Sequence, residues 1–394
     1  MINSRKRNDT LGEHHISADA KKKKIEAIEN AQLEVILYRD LDKLAQMATS
    51  DARAGEVVPI NRTRSRCILL NPTMELNDPA LFLVRIEGKI VGYFGVLPSI
   101  VRVNGADKKI FFTTTCEFAD EWRGTGLAAK LVEYGSHVAK PLVGAGNSKG
   151  AIKMFRSLGF REYKKKVGQR VRWNVLSAAN WHRKAMGKLR FRGNNGKPAT
   201  IPRHVIKMAL SIVNRGQYRW QTVPKLGPEA KNLIRNIRGN FFYRSPETIE
   251  WMLNFPWFPA DPPAVGAELI YRFQPKEQNV EYRIFEVTSV RDANLRAGVI
   301  FSIVHRAVPV IKMLDHWGAG QETKDWWLGP ALELQLEFEI LNLIVSPAVT
   351  IPFWLQPIVS PIFEGYFVPP THTQTFDNFD LIQTSFADGD MGFW

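Results

Sequence analysis

The chain has little cysteine: Cys67 and Cys116 are the two among 394 residues. This count excludes a disulfide-rich secreted scaffold and favours a reducing compartment. The N-terminal segment MINSRKRNDTLGEHH lacks the apolar core of a signal peptide, so we expect a cytoplasmic protein. The eight histidines show no metal-ligand spacing, and the sequence therefore predicts no metal site.

Acidic residues are absent between Tyr163 and Pro228, where sixteen lysines and arginines stand. This segment accounts for the whole excess of positive charge in a chain of net charge +14. A solvated basic face is one interpretation. An acid-free segment of this length favours an anionic partner instead: a phosphorylated or nucleotide-linked substrate, RNA or a membrane surface. The sequence does not choose among them.

Charged residues are also absent from Ile340 to Phe363, a segment long enough to suggest a membrane span. It holds four prolines, each of which would remove a helix hydrogen bond that a membrane cannot replace. The segment is therefore predicted to form a buried helix end, a short strand and loops, without stable membrane insertion.

The first half of the chain has strand patterns followed by helix patterns. Residues 1–30 are predicted to be a flexible tail, and a helical stretch covers about 31–48. An antiparallel meander follows, and Asn104-Gly105 is a strong hairpin signal within it. The predicted strands of the meander are 81–86, 90–96 and 110–118.

The meander runs into the segment CEFADEWRGTGLAAKLVEYG, which places two glycines at the start of a predicted helix. Glycines there leave backbone N–H groups unshielded, and a helix start adds unpaired donors and a partial positive charge. Together they predict a phosphate cradle. A Walker loop does not fit the spacing, and Ala129 stands where a dinucleotide fingerprint needs glycine.

The segment NSKGAIKMFRSLGF predicts a second helix, which Asn147 or Ser148 begins and Gly159 ends, before a strand at 161–173. Residues 146–150 also match the nucleophile elbow Gly-x-Ser-x-Gly of hydrolases. The antiparallel meander is the wrong sheet for a hydrolase, so Ser148 is interpreted as a helix cap.

The two segments RGTGLA and NSKGAIKMFRSLGF resemble, in order and separation, two motifs of the GNAT (N-acetyltransferase) superfamily. The resemblance covers residues 31–173. It implies an α/β (α+β) fold with a mixed, largely antiparallel sheet flanked by helices. It also implies acetyl-CoA, or another acyl-CoA, as cosubstrate and a small-molecule amine as acceptor. Nucleic acid then becomes an unlikely partner.

The resemblance also implies roles for individual residues. Backbone N–H groups of the glycine loop would hold the CoA pyrophosphate, and Arg123 would position the loop or contact phosphate. The backbone around Phe118 and Ala119 would bind the pantetheine arm and the acyl carbonyl. The residues expected at the cofactor are Phe118, Ala119, Arg123, Gly124, Thr125, Gly126, Leu127, Ala128, Asn147, Ser148 and Phe155.

An attacking amine must lose a proton, so a general base is expected. Glu117 is the first candidate, with an edge salt bridge as the alternative role, and Asp120 is the weaker one. The family's tyrosine, which often protonates the leaving thiolate, aligns with Phe155. Phenylalanine has no proton to give, so water or another residue would take that role, or the fold would be noncatalytic.

The second half has a similar order of predicted strands, helix and strand, but it lacks the glycine motif. Residues 174–244 are interpreted as a basic connector and 245–394 as a degenerate GNAT-like domain. Short matches resemble tandem GNAT proteins of bacterial surface-polysaccharide biosynthesis, and most tryptophans there are expected in the core rather than on sugar rings. The predicted elements are a helix opening at Ser245, strands near 268–274, 281–288 and 298–314, a helix over 322–343 and a strand near 348–355.

The leading hypothesis is therefore an acetyl-CoA-dependent N-acyltransferase with an amine acceptor, which would be an amino sugar or a nucleotide-linked sugar. An aminoacyl transferase of the peptidoglycan-bridge type is the second hypothesis. A noncatalytic CoA- or carbohydrate-binding protein is the third.

Overall fold

The computed structural model describes most of both halves of the chain. The predicted strands near 268–274 and 348–355, Asn147, and the basic segment from 173 to 217 lie outside the described residues. The described residues are 18–50, 56–145, 148–172, 218–254, 279–290, 295–305, 310–318, 326–338, 342–345, 358–372 and 382.

The first sheet contains the predicted meander. Its strands follow the order β1-β2-β3-β4-β5, and the short strand β8, Phe241–Tyr243, pairs with β3. The hairpin at Asn104-Gly105 is confirmed, since both residues have positive φ. The elements are α1 Ala18–Glu29, β1 Gln32–Leu37, α2 Leu41–Ser50, α3 Arg62–Leu69, β2 Pro79–Ile86, β3 Lys89–Val103, β4 Ala106–Phe118, α4 Leu127–Val138, β5 Leu142–Val143, α5 Lys149–Ser157 and β6 Arg161–Arg172.

The N-terminal segment differs from its prediction in two places. Residues Ala18–Glu29, expected in a flexible tail, form α1, because Ala27 and Ile28 pack against the core between the sheet and α4. Residues Gln32–Leu37, expected to be helical, form β1 and pair antiparallel with β2. The helical pattern is therefore correct only from Leu41 onward.

The second sheet has the order β13-β6-β12-β11-β10-β9-β7. The predicted strand over 298–314 is two strands of a hairpin, and the predicted helix over 322–343 is shorter. The elements are β7 Tyr218–Val223, α6 Pro228–Arg235, β8 Phe241–Tyr243, α7 Pro246–Asn254, β9 Asn279–Ser289, β10 Leu295–His305, β11 Val310–Gly318, α8 Leu328–Glu337, β12 Asn342–Val345 and β13 Ile358–Val368.

The two halves of the chain exchange strands. β6, from the first half, lies between β12 and β13 of the second sheet. β13 in turn reaches the first sheet, where Gly144 and Phe367 exchange two backbone hydrogen bonds of 2.8 Å. β7 and β8 both come from the predicted connector, yet each is paired in a sheet. The domain boundaries at 173 and 245 stay predictions, while the sheets themselves are interleaved.

A histidine that follows β13 also connects the C-terminal half of the chain to β5 of the first sheet. The backbone N–H of Leu142 on β5 donates to Nδ1 of His372, four residues after β13, at 3.2 Å. Burial, and then the nearby charges of Lys140 and His137, lower the pKa of His372. A neutral imidazole is the form that can accept this hydrogen bond.

The second sheet repeats the arrangement of the first. β4 is followed by α4 and by the parallel strand β5, and β11 is followed by α8 and by the parallel strand β12. Both leading strands carry a bulge at the same distance from that parallel pairing. Two residues, Thr114 and Thr115, oppose Gly95 in β4, and Leu314 is the extra residue in β11. The segment β4–α4–β5 of the first sheet thus has a counterpart, β11–α8–β12, in the second sheet.

The charge-free segment from Ile340 to Phe363 contributes strands rather than a long helix. β12 lies within it, and β13 begins within it. Among the described residues, none of the helices has the length and apolar character that a membrane span requires.

Phe367 on β13 offers a test of this junction. Its ring is fully buried and stacks on Phe155 at 5.3 Å between centroids, so Phe367→Ala should lower the free energy of unfolding by about 3 kcal/mol or more. Denaturant unfolding measures this loss. Phe363, on the same strand, is 51% exposed, and Phe363→Ala should change the stability by only about 0.5 kcal/mol. Equal losses in the two variants would contradict the proposed importance of the junction.

Candidate functional site

The glycine loop forms an open helix start. Gly124 and Gly126 have φ of +75° and +88°, and a Cβ at either position would meet no heavy atom of the described residues within 4 Å. α4 begins directly after Gly126, and no side chain caps it. The first N–H groups of α4 therefore lack helical acceptors, and the space beside the two glycines is open, which suits an anion site.

Arg123 is held in the turn that precedes the cradle. Its Nε donates to the carbonyl oxygen of Phe118 at 3.1 Å, and its guanidinium pairs with Asp120 at 2.5 Å. Thr125 Oγ1 donates to the carbonyl of Trp122 at 2.7 Å. Of the two predicted roles of Arg123, these contacts support the positioning of the loop. Asp120 is 86% exposed and already serves as the partner of Arg123.

Helix α1 supports the same turn from outside. Lys24 Nζ donates to the carbonyl oxygen of Glu121 and lies 5.5 Å from the ring centre of Trp122. The sequence analysis did not predict this contact, because a lysine run in a polar segment is typical of a solvated tail.

The bulge in β4 changes which backbone groups face β5. Before the bulge, Phe111 N–H donates to the carbonyl of Pro141 at 2.8 Å, on the β5 side. After it, Ala119 N–H donates to Val91 at 2.9 Å, on the β3 side. By alternation along the strand, the N–H of Phe118 then faces away from β3. The predicted backbone donor is therefore Phe118, since the N–H of Ala119 is used within the sheet.

β4 and β5 separate toward the cradle. Their pairing ends at Phe112 and Val143, although β4 continues to Phe118. Among the described residues, no strand pairs with this last part of β4 on the β5 side. The gap lies beside the start of α4, since Phe118 packs in the same cluster as Leu127 and Leu131. An extended ligand arm could enter the sheet there.

Glu117 lies on the opposite face of β4 from Phe118. It stands directly across from Tyr93, and residues in such a pair point to the same face. Tyr93 packs in the cluster that α2 and α3 cover. Glu117 is half-buried. Because it lies on the opposite face, the sheet separates its side chain from α4, and it stands at the edge of the gap.

The second motif supplies a cap and a core residue. Ser148 Oγ accepts a hydrogen bond from Ala151 N–H at 3.3 Å and so caps α5, as predicted. Phe155 is buried and packs against Phe160 and Phe367. Its ring also lies against Gly144, where a Cβ would come within 2.9 Å. Phe155 therefore contributes to the junction of the sheets, and a contact with the cofactor stays a prediction.

The equivalent helix start in the second sheet has a tryptophan in place of the glycine. Trp327 is the N-cap residue of α8, and its backbone is helical while its side chain is fully buried in the core. Trp326 packs in the same cluster, in agreement with the expected core role of these tryptophans. Trp354 and Trp394 lie outside the described residues. Where the first half has a glycine cradle, the second half has a tryptophan.

One part of the site was missed by the sequence analysis. α3 covers the face of β4 that carries Glu117 and brings Arg64 into a pocket beside Thr114 and Thr115. The available signal was Asn61, an N-cap residue whose Oδ1 accepts from Arg64 N–H at 2.8 Å. A cap predicts a helix, and it does not predict which strand that helix will cover.

Comparisons with known proteins agree with this architecture. The model of the acetyltransferase (GNAT) family matches residues 44–160. No curated protein sequence matches the chain. A probable N-acyltransferase from Enterococcus faecalis V583 is similar in structure, with a TM-score of 0.50 and 10% identity over 88% of this chain and 74% of that one.

Two further solved structures are less similar. A GCN5-related N-acetyltransferase from Anabaena variabilis has a TM-score of 0.46 and 10% identity, over 86% of this chain and 72% of that one. Eis1 from Mycobacterium abscessus has a TM-score of 0.45 and 13% identity, over 87% and 75%.

The fold class is thus as predicted: mixed α/β, with two largely antiparallel sheets flanked by helices. The family match covers β2, β3, β4 and α4, which build the cradle and the gap beside it. Residues 44–160 therefore carry the match to the GNAT acetyltransferase family that the two sequence motifs predicted.

Proposed function

We propose that this protein transfers an acyl group from acyl-CoA to an amine. The observation that carries the proposal is the open start of α4: two left-handed glycines and an uncapped helix beside a gap between β4 and β5. GNAT domains use acyl-CoA cosubstrates, and the residues of this loop fit a pyrophosphate, because backbone donors and space coincide there.

The chain would hold CoA mainly through its backbone. The N–H groups of residues 124–128 would donate to the pyrophosphate, and Arg123 would keep the turn in place through Phe118 and Asp120. The N–H of Phe118 faces the gap and could donate to the acyl carbonyl oxygen. A donor aimed at this oxygen stabilises the negative charge that develops on it during attack.

Glu117 is the proposed general base. In the reaction a bond forms between the amine nitrogen and the acyl carbon, and the carbon–sulfur bond breaks. The amine proton goes to Glu117, and the thiolate takes a proton from water, since Phe155 is buried and has none to give. Asp120 is less suited to this role because its carboxylate pairs with Arg123 in the solvent-exposed turn.

The alternatives predict different ligands. An aminoacyl transferase would take its donor from charged tRNA and would not need the glycine cradle. A noncatalytic protein would bind acyl-CoA without turnover. The hypothesis of an amino-sugar or nucleotide-linked acceptor rests on short sequence matches and on the basic segment, and 173–217 of that segment lies outside the described residues.

The first prediction concerns the cradle. Gly126→Asp should remove measurable binding of acetyl-CoA in isothermal titration, because a carboxylate at the helix start repels phosphate and the side chain fills the open space. Gly105 is the matched control: it has φ of +80°, open surroundings and a place at the distant β3–β4 turn. Gly105→Asp suffers the same backbone strain and should bind normally. Normal binding by folded Gly126→Asp would refute the cradle.

The second prediction separates the two carboxylates. Glu117→Gln should lower kcat by about 100-fold, which is typical for loss of a general base. Asp120→Asn should retain most of kcat. The measurement is steady-state turnover with acetyl-CoA and a panel of amines. A larger loss in Asp120→Asn than in Glu117→Gln would reverse the assignment.

The third prediction concerns stoichiometry. Because Trp327 occupies the helix start in the second sheet, each chain should bind one acetyl-CoA rather than two. Titration calorimetry of the full chain gives this number directly. A second site that survives in Gly126→Asp would show that the C-terminal half also binds the cosubstrate.

A further inference from the structure

Two segments of unusual charge meet in the ladder between β6 and β13. β6 contains the start of the acid-free basic segment, which begins at Tyr163, and β13 begins inside the charge-free segment from Ile340 to Phe363. Phe363 stands directly opposite Lys166 in this ladder, and residues in such a pair point to the same face. The ladder therefore places an aromatic ring beside the first lysines of the basic segment.

This face of the ladder is open to solvent. Lys164 and Lys166 are exposed, and Phe363 is 51% exposed, which is high for a phenylalanine. Lys164 lies on the same face as Lys166, from which it is two residues away, and its Nζ is 5.3 Å from the ring centre of Phe363. β13 is the last strand in the order of its sheet, so the ring stands at the rim.

Helix α5 extends the positive charge along the surface. Lys149, Lys153 and Arg156 are four and three residues apart, so they lie on one side of the helix, and all three are exposed. Arg156 pairs with Glu162 of β6 at 2.6 Å, which joins the helix to the ladder and neutralises that carboxylate. Within the described part of the chain, the four lysines of the helix and the ladder form no ion pair, so their charge is available to a partner.

We infer that this surface docks on an anionic lipid membrane. The surface, called the basic face below, consists of Lys149, Lys153, Arg156, Lys164, Lys166 and Phe363. Lysines and arginines close to anionic headgroups are attracted to them, and a protruding aromatic ring is stable at the headgroup level. The chain would then lie on the membrane surface through side chains of α5, β6 and β13. The inference goes beyond acyl transfer and does not depend on it.

The exposed ring favours a membrane over RNA. Proteins bind single-stranded nucleic acid with aromatic rings whose faces stack on successive bases. Lys164 already lies over one face of Phe363, and Phe363 is the one exposed aromatic residue in the described part of the chain. Insertion of the ring among headgroups requires neither a free face nor a second ring, because the gain comes from apolar area removed from water.

Sedimentation with lipid vesicles tests the inference. The full chain is mixed with vesicles of phosphatidylcholine alone, or of phosphatidylcholine and phosphatidylglycerol in equal parts. The wild-type chain should sediment with the mixed vesicles and not with the neutral ones, and added salt should release it by screening the charges. In Lys164→Glu/Lys166→Glu the partition coefficient should fall by at least about 10-fold, since each basic residue near an anionic surface contributes about fivefold.

The matched control is Lys89→Glu/Lys108→Glu. It makes the same change of net charge at two exposed lysines outside the basic face. Lys89 begins β3, and Lys108 pairs with Val101, about 40 Å farther along that strand, so the two do not form one cluster. The control should keep most of the binding. Equal losses in the two double variants would assign the binding to net charge alone and overturn the inference.

A further variant tests the ring without a change of charge. Phe363→Ala should lower the partition coefficient by about 3- to 10-fold, because the apolar area that leaves water becomes smaller. The exposed position of this side chain makes a loss of folding unexpected, and circular dichroism with thermal unfolding checks the fold of every variant. An unchanged partition coefficient in folded Phe363→Ala would contradict docking through this face.

The remaining outcomes are distinct. If the β6 variant fails to fold, Lys149→Glu/Lys153→Glu on α5 should lower the partition coefficient in its place, and an unchanged value would contradict the inference. Absence of wild-type binding to the mixed vesicles would refute it and leave the basic face as solvated surface. Binding of polyuridylic acid that Lys164→Glu/Lys166→Glu abolishes, without binding to vesicles, would replace the membrane by RNA.

Discussion

The antiparallel pairing of β6 with β13 is the constraint on which the rest of the structure depends. The ladder joins Arg161–Arg172 to Ile358–Val368, so its two strands lie almost 200 residues apart in the chain. β6 also pairs with β12 within the second sheet, and Phe367 of β13 bonds to Gly144 just beyond β5 of the first sheet. Phe155 and Phe367 fill the space under this contact. The cradle sheet is therefore completed by the C-terminal half, and contacts of such long range form late in folding because loop closure must come first.

The duplication explains why one half can carry the site while the other supports it. Both halves contain a leading strand with a bulge, a helix and a short parallel strand, and this geometry alone opens a gap beside a helix start. The gap becomes a ligand site only where the helix start is accessible. Gly126 leaves it open in the first half, whereas the corresponding position in the second half is Trp327, whose side chain packs in the core. Under the proposed function, the same backbone arrangement would serve binding in the first half and packing in the second.

Local signals predicted the first half well. The Asn104-Gly105 turn, the Ser148 cap, the Gly159 stop and the glycine loop each depend on a few neighbouring residues whose backbone preferences decide the outcome. Pairing over long distances was not predictable in this way. The segment QLEVIL is apolar enough for a helix or a strand, and only the presence of β2 beside it selects β1. The pocket around Arg64 was missed for the same reason, because α3 and the bulge of β4 meet only in the folded chain.

The two faces of β4 explain how a single strand can serve two substrates. Phe118 and the helix start of α4 lie on one face, and Glu117 with the Arg64 pocket lies on the other. A cosubstrate held at the cradle can reach the second face only through the gap where β4 leaves β5. Under the proposed function, an acceptor on the α2–α3 side would not compete for that space. Both substrates would then be bound together, and the amine would attack directly without an acyl-enzyme intermediate. Such an arrangement draws its rate from the positioning of the two reactants, so the rigidity of the bulge is expected to matter as much as the identity of the base.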